Sequence, residues 1–300
     1  MNDRISELMA ALRGIAVDER LSDEALAALS RCYVSMQNLV VADSLEAEYG
    51  SRREYERVLD ALGEICRRRC ASGQPFARRS RMLPVLSMID DMQMRVVDMR
   101  RQDECRRMMF SAVDEWVHND CRAEDEYGVL RCIATLFCYA DEADRESDSD
   151  FVRFRSSIDS WAAELNGGCR WAGLPLRDAL NRLEIMGRNS NMFLDSRYDA
   201  QIIEARTSYG RSVLEGTMRR EAESSPVDGY TLCMLYEISA WGVGMPDTEL
   251  ADLAAEYSAR MAEGYSAGSE DWLWCMSVVL DRECMRLNEE IQNRIFAHSA

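Results

Sequence analysis

Lysine is absent from this 300-residue chain: all 36 of its basic residues are arginine. That absence removes the phosphate-binding loop GxxxxGK[ST], Schiff-base catalysis and the protein-kinase lysine from consideration. Two origins fit it: codon bias with chance, or selection against amines that a ubiquitin-like tagging system would modify. Histidine is almost absent as well, with only His118 and His298. No Ser/His/Asp or Cys/His constellation is therefore arguable, and neither GxSxG nor GxGxxG after a strand occurs. Glu115 and His118 form one Glu-x-x-His step, half of what a di-iron bundle uses twice; the second copy fails because Ile295 stands three residues before His298.

Proline and glycine are scarce, at five and sixteen residues, so sharp turns are few and long helices are favoured. Long apolar runs are missing too. The longest candidate, CIATLFCYA at 132–140, falls well short of the roughly 18 uncharged residues a membrane span needs. The opening MNDRISELMAALRG carries Asp3 and Glu7 and places Ile5, Leu8, Met9 and Leu12 on one helical face, the pattern of a core helix and not of a secretory leader. Eleven cysteines, an odd number with no CxxC pair, fit small buried thiols in a reducing compartment. Cys66 and Cys70, or Cys132 and Cys138, lack the histidine that would complete a zinc site. The expectation is a soluble, cytoplasmic protein with no cofactor and no metal.

What is present is helical periodicity nearly everywhere, in a chain with 47% hydrophobic residues. Tyr55, Val58, Leu59, Leu62 and Cys66 make one stripe. Phe151, Phe154, Ile158, Trp161 and Leu165 make a second, and Leu250, Leu253, Ala254, Tyr257 and Met261 a third. Ser225 before Pro226 reads as a helix cap, and so does Ser269 before Glu270 and Asp271. Long stripes begin near 24, 84, 127, 176, 229 and 270, and the first five are each followed by a turn and a second helix. This predicts an all-α fold of stacked helical hairpins over residues 1–300 as a single domain. Its form is an α-solenoid, an irregular tetratricopeptide-like superhelix, with a closed α/α toroid as the alternative. The tetratricopeptide signature itself fails, so the likeness is architectural.

Charge is distributed unevenly. Residues 52–107 carry 14 Arg against 9 acids, a net of +5, within a chain whose net charge is −17. The acidic remainder argues against nucleic acid as a partner of the whole surface. Within the basic stretch, CRRRCASGQPFARRSR at 66–81 is densest. Arg67, Arg68 and Arg69 suit the last turn of a helix begun near Tyr55, where cations meet the negative end of the dipole. Arg78, Arg79 and Arg81 fall in the loop that follows. These six are the candidate binding residues for an anion or an acidic partner, with an acidic loop of the same chain, such as DEADRESDSD at 141–150, as the internal competitor. Beside them Met82, Met88, Met92, Met94, Met99, Met108 and Met109 form a core stripe that would also suit an amphipathic partner helix.

Carboxylates are the remaining catalytic resource. Asp90 and Asp91 invite comparison with DDxxD, but Met94 stands where the third Asp belongs. Trp272 and Trp274, two apart on a helix, point in different directions, and one of them is an interface candidate. The leading expectation is a non-enzymatic helical scaffold that binds another protein, an acidic or amphipathic helical segment, with no nucleic acid and no membrane. The alternatives are a carboxylate-based, glycosidase-like hydrolase on a toroid and a lysine-free secreted effector.

Overall fold

The computed structural model describes residues 3–40, 45–71, 74–93, 99–118, 126–137, 149–165, 170–222 and 227–299. Among these residues every regular element is helical and no strand occurs, in line with the all-α expectation. The order is α1 (Asp3–Arg13), α2 (Asp23–Val40), α3 (Leu45–Arg69), the short α4 (Phe76–Ser80), α5 (Leu83–Gln93), α6 (Met99–His118) and α7 (Glu126–Phe137). Then come α8 (Ser149–Glu164), α9 (Leu176–Phe193), α10 (Asp199–Ala222), α11 (Gly229–Ala240), α12 (Thr248–Gly264) and α13 (Glu270–Ser299), with a 3-10 turn at Ser196–Tyr198.

The six stripes read near 24, 84, 127, 176, 229 and 270 are α2, α5, α7, α9, α11 and α13. They pack in series, α2 on α5, α5 on α7, α7 on α9, α9 on α11 and α11 on α13. The series returns on itself, because α13 packs on α2. The serial stacking predicted from the sequence is present, and the ring held as its alternative is how the two ends meet. Small groups make this closure tight. The Cys32 thiol donates to the Leu273 carbonyl at 3.2 Å, and the Cys284 thiol donates to the Ser35 carbonyl at 3.1 Å. Around the ring, α6 packs on α5 and α7, α10 on α9 and α11, and α12 on α11 and α13.

Burial follows position in this arrangement. Helices of the ring pack against several neighbours, so α11 buries Tyr230 to Tyr236 without a break and α13 buries Trp272 to Cys275. Trp272 and Trp274 are therefore both interior, and neither is the exposed interface residue the sequence suggested. Outer helices bury one stripe each: Phe151, Phe154, Ile158 and Trp161 on α8, and Leu250, Ala254 and Tyr257 on α12. The core is continuous from Met9 to Cys284, and no described helix is long and apolar enough to cross a membrane.

Several boundaries differ from the sequence reading. The Ser269 hydroxyl accepts from the Trp272 N–H at 3.4 Å, as expected of a cap. The cap of α11, however, is Asp228, which accepts from the Thr231 N–H at 2.7 Å; Ser225 and Pro226 lie outside the described residues. Asp228 wins because its side chain sits one residue before the first buried turn. Helix α3 begins at Leu45, not near Tyr55. Arg78 and Arg79 lie in α4 and not in a loop, since the Pro75 carbonyl accepts from both their N–H groups and starts a helical turn.

Candidate functional site

Closing six helices into a ring leaves space along its axis. A funnel of about 1080 Å³ opens there, lined by the N-terminal halves of α2, α5, α7, α9, α11 and α13 together with the end of α3 and the α4 region. One side of its mouth is arginine-rich. Of the six candidate arginines, Arg68, Arg69, Arg78 and Arg81 line the funnel. Arg67 points elsewhere, to Glu64 and to Glu104 at 3.0 Å, and Arg79 is held by Glu115 and by the Gln74 carbonyl.

Acids of the same chain meet part of this charge. Arg69 pairs with Asp23 and donates to the Leu21 carbonyl at 2.8 Å, and Arg68 pairs with Glu64 at 2.9 Å and Glu19 at 3.5 Å. The partners are thus the chain between α1 and α2 and the preceding turn of α3; residues 141–148 of the acidic loop lie outside the described residues. Arg78 is exposed and touches only the Gln74 side chain, at 3.5 Å, among the described residues.

The opposite wall is a relay of aromatic and charged groups contributed by four helices. The Trp274 ring on α13 meets the Tyr230 ring on α11 edge-on at 5.0 Å, and the Arg177 guanidinium on α9 lies 3.9 Å from the centre of the Tyr230 ring. Arg177 donates to Glu24 of α2 at 2.9 Å, and Glu24 in turn hydrogen-bonds Glu270 at the start of α13. Ser22, the cap of α2, donates to Glu270 at 2.8 Å and accepts from the Ala25 N–H. Partial burial and then the bond with Glu24 lift the Glu270 carboxyl to about 7.

The funnel floor is charged and buried. Arg31 of α2 pairs with Glu237 of α11 and lies 3.9 Å from Asp281. Arg131 of α7 donates to Glu184 at 3.1 Å and to the Tyr127 hydroxyl at 3.0 Å. Burial works against both guanidinium charges, yet the facing acids outweigh it and hold Arg31 and Arg131 above their ordinary values. Glu237 is raised, by burial and by Asp281 competing for the same cation. The indole N–H of Trp274 and the Nε–H of Arg131, both in funnel-lining residues, are buried without an acceptor among the described residues.

Other candidates are absorbed by structure. Asp90 is buried against Arg106 at 3.0 Å, which leaves no open carboxylate for a metal there. Burial also raises it above the usual carboxylate range, against the pull of Arg106. Among the described residues no three His, Cys, Asp or Glu side chains gather as a metal would require. The side chains of His118 and His298 lie outside the described residues, and Glu115 is engaged by Arg79. Met82, Met88 and Met109 are core residues, with Met88 also at the funnel wall; the side chains of Met92, Met94 and Met99 lie outside the described residues. The described cysteines are free thiols, and burial pushes Cys70 up to about 11 and Cys233 up to about 12.

Sequence reasoning missed Arg31, Arg131, Arg177, Glu24 and Glu237. The available signal was a charge set inside an apolar run, as in LSRCYV and VLRCIATLF. Compared with family models, curated proteins and solved structures, the chain matches none.

Proposed function

We propose that this is a binding protein whose ligand, a small acidic molecule rich in hydroxyl groups, enters the axial funnel at its arginine-lined mouth. The observation that carries the reading is the convergence of Arg68, Arg69, Arg78 and Arg81 on one cavity in a chain of net charge −17. Arginine's planar fork suits carboxylates and phosphates, while the Trp274 indole N–H, without an acceptor among the described residues, suits a hydroxyl of a polar ring. The volume is that of a small-molecule site. The same mouth suits the acidic segment of a partner protein, and the scaffold role suggested by the sequence is proposed on that footing. Free, buried thiols support a reducing, cytosolic setting, and the continuous core supports residues 1–300 working as one unit.

One observation favours a second reading, carboxylate-based hydrolysis. The Glu270 carboxyl, facing Glu24, is raised to about 7, and such an acid is suited to protonating a leaving group.

Calorimetric titration with glucuronate, with glucose as the neutral control, tests the first reading. Glucuronate is expected to bind saturably and to lose about tenfold or more in affinity when Arg78 and Arg81 are both replaced by Ser. Equal response to both sugars, or none to either, rejects it. Release of 4-nitrophenol from its glucuronide, abolished by Glu24→Gln while glucuronate binding persists, would support the second.

A further inference from the structure

A second cavity, of about 260 Å³, lies behind the Arg31–Glu237 pair, towards the C-terminal ends of α9 and α11. Arg31 and Glu237 line both cavities, so this ion pair is the partition between them. Three guanidiniums, Arg31, Arg188 and Arg206, and three carboxylates, Glu184, Glu237 and Asp281, line the second cavity, but they are not paired one to one. On the α2 and α13 side Arg31 faces two acids, Glu237 and Asp281. Glu184 of α9 pairs with Arg188 of the same helix at this cavity and with Arg131 of α7 on the funnel side. Arg206 of α10, only 5% exposed, has no carboxylate at ion-pair distance among the described residues. Its Nη groups donate to the carbonyls of Ile238, Val243 and Met245 at 3.3–3.4 Å, and its Nε–H has no acceptor among the described residues. Burial pulls the Arg206 guanidinium below its ordinary value; Asp247 opposes this only at a distance, its own carboxylate being spent on the Leu250 N–H. Arg188 uses its Nε on Glu184, and both its Nη groups are without a partner among the described residues.

Apolar lining comes from Val34, Met192, Ile202 and the Trp241 side chain, whose indole N–H is anchored on Asp281 at 3.0 Å. Trp241 is nonetheless 49% exposed, and Met245 and Leu194 at the same end are 85% and 87% exposed. Asn191 Nδ2 donates to the Trp241 carbonyl at 3.2 Å and ties the end of α9 to this loop. A cavity with a cationic side, an apolar body and an apolar lip is matched by a ligand with the complementary polarity.

We infer that this cavity is a second binding site, distinct from the funnel, for a small free carboxylate carrying an apolar chain, its carboxylate against Arg188 and its chain along Ile202, Met192 and Trp241. The carboxylate gives the Nη groups of Arg188 an acceptor and brings an anion near Arg206, which has no carboxylate at ion-pair distance among the described residues, and the chain covers the exposed tryptophan face. Binding does not depend on what enters the funnel.

Titration with hexanoate, with hexanamide as its neutral isostere, tests the site by calorimetry and by tryptophan fluorescence. Hexanoate is expected to bind saturably at least about tenfold more tightly than hexanamide. Arg188→Gln should abolish that preference while the melting temperature shows the fold intact, Trp241→Phe should remove the fluorescence change but not the heat, and Arg177→Gln in the funnel should alter neither. Equal binding of acid and amide, no saturable binding of hexanoate, or loss in Arg177→Gln with retention in Arg188→Gln would each overturn the assignment.

Discussion

Glu270 carries two loads at once, as the first residue of α13 and as a part-buried carboxyl whose value is raised to about 7. Folded, it keeps its proton up to about pH 7, whereas an ordinary glutamate loses it near 4.5. In that window the folded state binds more protons than the unfolded one, so this residue's contribution to stability declines as pH rises from about 4.5 and is least favourable above about 7. The groups that set it are Glu24 across the joint, Asp271 beside it and the Ser22 hydroxyl, with Arg177 held on the far side of Glu24. Glu270→Gln is expected to raise the melting temperature at about pH 8 and to change it much less at about pH 5, as followed by circular dichroism. A gain confined to the lower pH would have the wrong sign for a carboxyl raised by folding. Neither glutamate was singled out from the sequence as a pair, because residues 24 and 270 become neighbours only through the ring. Glu270 was visible solely as a favourable charge at a helix start.

Helices were the most legible part of the chain. The six long stripes fall within a residue or so of the starts of α2, α5, α7, α9, α11 and α13, because apolar spacing records which face a helix buries. Their limits were less legible where two signals competed. Ser225 with Pro226 has better cap chemistry on paper than Asp228, yet Asp228 precedes the first buried turn. Helix α4 was invisible because five residues give no period to read. One terminus carries a residual strain. Leu194, which ends α9, has φ 53° in the left-handed region and is almost wholly exposed, so it pays the conformational cost without a packing return. Leu194→Gly is expected to stabilise the protein by about 0.5–1 kcal/mol, read as a higher urea midpoint with an unchanged slope. A destabilisation of similar size would show that the leucine contributes through contacts after all.

Ring closure decides where the cavities are, and it was the least legible feature. Nothing in a local window tells whether a series of hairpins stays open, since the answer lies in contacts such as Cys32 with Leu273 and Cys284 with Ser35, about 240–250 positions apart. The arginine-rich segment shows the same limit. Its density was plain, but that four of its members face an axial funnel while Arg67 and Arg79 are tied to Glu104 and Glu115 follows from the ring alone. If closure rests on small side chains between α2 and α13, Cys32→Phe should wedge the joint. A loss of about 1–3 kcal/mol in urea unfolding is expected, with weaker ligand binding in the funnel at temperatures where the protein is still folded. A stability unchanged by the phenyl ring would mean that the joint is looser than the thiol contacts imply. The same joint fixes an order of events during synthesis. At about 5–20 residues per second, α2 leaves the ribosome roughly ten to fifty seconds before α13 does. Through that interval one flank of α2 has nothing to lie against, neither cavity has a complete wall, and the growing chain has greasy surface for other proteins to grasp before it has a pocket for any ligand to fill.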